Sequence, residues 1–196
     1  MLDTLSNLKA FCLPLSLQAK DGYDGLLTAI GAGVASRFES FCNRKFGRVS
    51  GDTYETNGDR QIIVLPRYPL ESVAQVEFRY RHGDDWTVES DAIASVDEES
   101  GLVTLCYALG DYQSRIRITY TGGYWYDAVG GQSQPVGSAA LPEHILLHWK
   151  AQCKHLFDSL DVTSSSLSEK QWVSRIASYD LAPEVKAALQ PERRLA

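Results

Sequence analysis

The sequence lacks a long apolar run. No stretch approaches the roughly 20 residues that a bilayer-crossing helix needs. The first fifteen residues carry Asp3 and Lys9 and no continuous apolar core, so neither a membrane span nor a signal peptide is read, and a cytoplasmic protein is expected. Paired cysteines are also missing. Cys12, Cys42, Cys106 and Cys153 are scattered with no C-x-x-C pair, which excludes a small disulfide scaffold and predicts reduced, mostly buried thiols. Positive charge is in deficit: 19 Lys+Arg against 25 Asp+Glu leave a net charge of −6. A nucleic-acid binder needs clustered basic residues, so that class is disfavoured, and DNA close to the surface would be repelled. Catalytic signatures are absent as well. There is no G-x-S-x-G, no phosphate-cradling glycine loop and no nucleotide fingerprint, and Gly31-x-Gly33 lies inside a helical pattern with no strand before it. No enzyme and no cofactor is expected. Internal repeats are absent, and low complexity is confined to Ser164, Ser165 and Ser166.

What is present fits one domain, or one domain with a large insertion: 196 residues, 44% apolar and 22% charged. An amphipathic helix is predicted over Gly22–Cys42, where Leu26, Ile30, Val34, Phe38 and Phe41 recur at three- and four-residue steps. Asp21 and Asp24 suit its positive end, and Asn43, Arg44 and Lys45 suit its negative end. The comparable downstream stripe is Ile145, Leu146, Trp149, Cys153, Leu156 and Phe157, opened by Pro142 near the first helical position. These two distant helices are expected to pack together. Shorter helices are predicted at Thr4–Phe11, with Leu5, Leu8 and Phe11 on one face, around Trp172, Val173 and Ile176, and from Pro183 to Pro191. Leu15–Asp21 reads as a connection.

Between the long helices the period changes to strands. Val49–Thr56 and Gln61–Leu65 flank Asn57-Gly58-Asp59, a hairpin signal. Val73–Tyr80, Trp86–Val88, Ala92–Val96, Val103–Tyr107 and Ile116–Tyr120 continue the pattern. About six short strands at hairpin spacing predict an antiparallel sheet.

Three constellations have residue types that could carry chemistry. His144 and His148 have the i, i+4 spacing of helical zinc sites, but no adjacent Glu and no third ligand accompany them, and a half-exposed helix face is the plainer reading. Asp84-Asp85 and Asp97-Glu98-Glu99 read as solvated turns. Tyr124-Trp125-Tyr126, without interleaved Lys or Arg, reads equally as junction packing or as a protein interface.

Five short motifs follow one another along the chain. Leu8-Lys9-Ala10 stands in the first helix, and Glu39, Phe41 and Arg44 end the long one. Tyr120–Tyr124 closes the strand region, and Leu141-Pro142 opens the next helix. Pro183, Glu184, Val185, Leu189, Pro191, Arg193 and Arg194 form the end. In this order they resemble the head–tail connector, or head-completion adaptor, family of tailed bacteriophages. The resemblance implies a structural virion protein at the head–tail junction, present in host cytoplasm during assembly. It implies a ring of usually twelve subunits that joins the portal protein to a stopper or tail-completion protein, with DNA passing through the pore without sequence-specific binding. The acidic balance fits such a pore.

The expected fold is therefore α+β, with N- and C-terminal helices packed as a small bundle and an inserted antiparallel β module. The expected division is 1–46 and 141–196 as a discontinuous helical domain, 47–121 as the β module and 122–140 as a flexible Gly-rich connection. By family analogy, Pro183, Glu184, Val185, Leu189, Pro191, Arg193 and Arg194 are the portal-interface candidates. Removal of Leu181–Ala196 is expected to abolish portal capture and leave the fold intact. Gly31, Gly33, Tyr124, Trp125 and Tyr126 are the subunit-interface candidates. No metal site and no membrane contact is expected. The alternatives are a small metal-dependent hydrolase using His144 and His148, and a different neck or tail-completion protein.

Overall fold

A computed structural model describes residues 1–160 and 179–194. The helix expected around Trp172, Val173 and Ile176 lies outside them. The chain divides into two compact units: Met1–Arg44, Tyr126–Gln134 and Leu141–Ala196 in one, and Lys45–Trp125 with Pro135–Ala140 in the other. Together they give the α+β architecture.

The first unit is helical. Helix α1 spans Leu5–Cys12, and the Thr4 side chain accepts from the Asn7 N–H at 3.2 Å to cap it. A short helix, α2, occupies Leu15–Gln18 within the expected connection. A 3-10 turn at Asp21–Tyr23 leads into α3, Asp24–Cys42. Helix α3 ends as a left-handed cap. Asn43 adopts φ 50°, and the Arg44 N–H reaches back to the Glu39 carbonyl at 3.1 Å. Helix α4 covers Glu143–Ser159, and α5 covers Pro183–Leu189.

As expected, α3 packs on α4. The buried stripe of α3 is Leu27, Ile30, Val34, Phe38 and Cys42, while Leu26 and Phe41 are only half-buried. The stripe is rotated by about one residue from the predicted one because Gly31 also turns inward, to meet Trp149. On α1 the buried residues are Leu8, Lys9 and Cys12, and Phe11 is exposed. Lys9 reaches the carboxylate of Asp24 at 2.6 Å and the Lys20 carbonyl at 3.0 Å, which meets the requirement that a buried ammonium be paired.

The second unit holds two antiparallel sheets over one core. Strands β1 (Val49–Asn57), β7 (Arg115–Gly122), β3 (Leu70–Arg79) and β4 (Thr87–Val88) form the first, in that order. Strands β2 (Ile62–Val64), β6 (Leu102–Leu105) and β5 (Ile93–Asp97) form the second, in that order. Strands β8 (Tyr124–Trp125) and β9 (Ala139–Ala140) add a short parallel pair. In β7 the clean alternation holds: Ile116, Ile118 and Tyr120 are fully buried between partly exposed neighbours.

The structure corrects one predicted pairing. Strands β1 and β2 do not form a hairpin across Asn57-Gly58-Asp59. Strand β1 pairs with β7, and β2 pairs with β6. The Gly58 N–H donates to the Ser114 carbonyl at 2.9 Å, and a Cβ at Gly58 would lie 2.7 Å from Cβ of Ser114. The turn carries the chain from one sheet to the other, and glycine is needed there for a close approach to the loop before β7.

Candidate functional site

The end of the chain contains most of the residues singled out from the sequence. It folds back within the helical unit. Leu181, Val185 and Leu189, at four-residue steps, are 6%, 4% and 0% exposed. Gln152, buried on α4, accepts from the Ala182 N–H at 2.9 Å and so anchors the start of this segment. Its far end is held by charge. Arg44, just past α3, is buried and donates to the Glu192 carboxylate at 2.9 Å. His144 Nε2 stands 3.4 Å from the other oxygen of Glu192. The Arg194 N–H donates to the Cys42 carbonyl at 2.8 Å, and the Arg193 guanidinium lies over the Phe41 ring, 5.1 Å from its centroid. Lys186 bonds the Asp180 carboxylate and holds its pKa below the usual range.

This arrangement revises the expectation that Leu181–Ala196 is dispensable for folding. Three side chains of the segment belong to the helical core, and Glu192 neutralises a buried guanidinium, so its removal would open the core. Among the candidates, Pro183, Glu184, Pro191 and Arg193 are exposed, Arg194 is half-buried, and Val185 and Leu189 are buried. Gln152 was missed from the sequence. A polar residue on an apolar stripe gave no sign that its amide would meet backbone groups some thirty positions downstream.

Gly31 is a point of close approach inside the chain. The Trp149 indole N–H donates to its carbonyl at 3.1 Å, and a Cβ there would sit 3.1 Å from the indole ring and 2.9 Å from Met1. Gly33 lies on the same helix, half-buried. Tyr124, Trp125 and Tyr126 are also half-buried. Tyr124 and Trp125 form β8, and the Tyr124 backbone donates to the Phe46 carbonyl at 2.7 Å and accepts from the Arg48 N–H at 2.9 Å.

The histidines sit on the outer side of α4. His148 Nδ1 is 2.6 Å from the His144 carbonyl, and His144 faces Glu192. Among the described residues no group of three or more His, Cys, Asp or Glu side chains is arranged to hold a metal ion, and no helix is long and apolar enough to cross a membrane. Cys12, Cys42 and Cys153 are buried and Cys106 is exposed. Desolvation pushes the Cys12 thiol up to about 11 and the Cys42 thiol to about 12, with Cys153 raised further.

Charge is divided unevenly. The β unit holds 8 Lys+Arg against 13 Asp+Glu, so it carries −5 of the chain's −6. Its outer sheet face is a charge ladder. Arg117 on β7 faces Glu55 on β1 at 2.9 Å and Glu77 on β3 at 3.9 Å. Trp86 covers the ladder, with the Arg117 and Arg79 guanidinium carbons 3.9 Å and 4.4 Å from its ring centroid.

No protein-family model matches the chain, and no curated protein matches it. Solved structures do. A chain in the neck of an empty GTA particle computed with C6 symmetry superposes with a TM-score of 0.61, covering 98% of this chain and 89% of that one at 11% identity. The chain shares the fold of a GTA neck chain. A chain of the virion of the native gene transfer agent (GTA) particle gives a TM-score of 0.54 over 91% of both chains at 12% identity. At this identity the likeness is one of fold, and it extends through both units. It agrees with the head–tail connector resemblance read from the motif order.

Proposed function

We propose that this chain is a structural protein of the neck of a phage-like particle. In this reading it forms a ring that joins the portal to a stopper or tail-completion protein and lines the channel through which DNA leaves. The observation that carries the reading is the fold likeness, which runs over nearly the whole of both chains and links this one to a neck component. The acidic balance supports it, since a wall without clustered cations lets a polyanion slide without adhering. The exposed residues of the C-terminal segment, Pro183, Glu184, Pro191 and Arg193, are assigned to the portal contact, with Val185 and Leu189 holding the segment in place from beneath. Tyr124, Trp125, Tyr126 and Gly33 are assigned to contacts between subunits.

The test is assembly. Purified chain mixed with portal rings from the same particle is expected to co-sediment and to give ring-shaped images in electron microscopy. Arg193→Glu, at an exposed position, is expected to weaken co-sedimentation by about tenfold, as loss of a well-placed interface arginine does, while loss of its contact with Phe41 lowers stability by no more than about 1 kcal/mol and the protein stays folded. Failure of the full chain to associate with portal rings, under conditions where it is folded, would overturn the reading.

A further inference from the structure

The β unit has one end on which exposed aromatic and apolar side chains gather. Arg79 at the end of β3 stands in register with Arg115 of β7, which stands in register with Asn57 of β1. Tyr80 follows Arg79, and Tyr112 lies in the loop just before Arg115. The second sheet brings its own residues to the same end. Gln61 binds the Leu105 carbonyl at 3.0 Å, and the Gly58–Ser114 bond ties the two sheets' loops together. Ile62 and Tyr107 flank that point. Tyr80, Tyr107, Tyr112 and Ile62 are 62%, 48%, 68% and 60% exposed.

The loops and strand ends here carry Asp59, Asp84, Asp85, Glu89, Asp91 and Asp111, with Glu89 accepting from the Tyr107 hydroxyl at 3.0 Å, against Arg60, Arg81 and Arg115. The unit's ion pairs use Asp52, Glu55, Glu71 and Glu77, which lie on the strands rather than on this rim. Rigid amphipathic tyrosines give contact area at low entropic cost, and an excess of carboxylates over guanidiniums at the same end selects the sign of the partner.

We infer that this rim is a docking surface for a basic segment of another protein, one presenting arginine or lysine beside apolar side chains. A second copy of the same rim would set acid against acid, and DNA would meet like charge. The inference rests on the neck reading only in taking the partner to be another particle component.

The probe is a short synthetic peptide alternating arginine and leucine, titrated into the full chain. Saturable binding that weakens with added salt is expected. Tyr80→Ser with Tyr112→Ser should weaken it by about tenfold. D59N/D85N should weaken it by about threefold, while E98Q/E99Q, which removes the same charge from the opposite end of the sheets, should leave it nearly unchanged. Unaltered melting curves for all three variants verify folding. The inference is overturned if wild type does not bind the peptide, or if both charge pairs weaken binding equally, which would mark attraction to net charge alone. It is also overturned if the double serine variant abolishes self-association of the chain, or if duplex DNA binds this rim. Peptide binding by a chain that ignores portal rings would refute the neck reading and leave this inference standing. The reverse result would do the opposite.

Discussion

Leu189→Ala tests whether the end of the chain belongs to the fold. Leu189 is 0% exposed, and its carbonyl lies 3.9 Å from the Cys42 sulfur at the end of α3. Truncation removes three side-chain carbons and leaves a cavity bounded by α3 and by a segment that Gln152 and Glu192 hold in position. Because both anchors restrain the segment, the hole cannot close cheaply. The expected loss is about 3 kcal/mol, within the range for buried leucines. For a chain of this length that corresponds to a fall in Tm of about 6–12 °C. Thermal and urea unfolding followed by helical circular dichroism measures it, with Glu184→Ala on the exposed face of α5 as the control, expected within about 0.5 kcal/mol of wild type. A Leu189→Ala protein as stable as the control would show that the segment is a detachable arm and that its packing contributes nothing.

Gly58→Ala is expected to destabilise the β unit by about 1–3 kcal/mol, since its Cβ would meet Ser114 at 2.7 Å; chemical denaturation reads this, and a neutral result would remove the cross-sheet contact from the account. Trp149→Phe removes the indole donor to the Gly31 carbonyl, which keeps its place in the helical ladder, and should cost about 0.5–1.5 kcal/mol in the same assay. In the native protein a thiol reagent should modify Cys106 quickly and the other described cysteines only on unfolding. Burial raises the Cys12 and Cys42 thiols from 9.0 to about 11 and about 12. A raised folded-state pKa favours the protonated fold, so stability is full below pH 9 and falls as the unfolded thiols ionise between about 9 and 12. Midpoints in urea measured across that range should decline, less steeply in Cys42→Ala.

Helix existence was legible because a 3.6-residue period survives in Ile30, Val34 and Phe38 and in Ile145, Trp149, Cys153 and Leu156. Helix phase was less so: Gly31 faces inward to meet an indole, and no local rule places a residue without a side chain on a buried stripe. Strand existence was legible from alternation in β7, but pairing was not. Asn-Gly-Asp has the chemistry of a hairpin, yet β1 and β2 are both claimed by strands much later in the chain, and that choice is made by the shared core rather than by the turn. The C-terminal segment is an interface candidate by family analogy alone, which says nothing of its burial. Leu181, Val185 and Leu189 sit at four-residue steps, and they are buried where α5 packs against α3 and α4.

The backbone leaves the helical unit at Arg44, and α3 receives its C-terminal neighbours only when the chain returns as α4 and α5. The strands are nearly contiguous by contrast, complete but for a short return at Pro135–Ala140. On a ribosome the sheets can therefore close while translation continues, whereas the helices must wait for α4 and α5 before their interior is sealed. A product that stops before Leu181 would have formed sheets and a helical half open to chaperones and proteases.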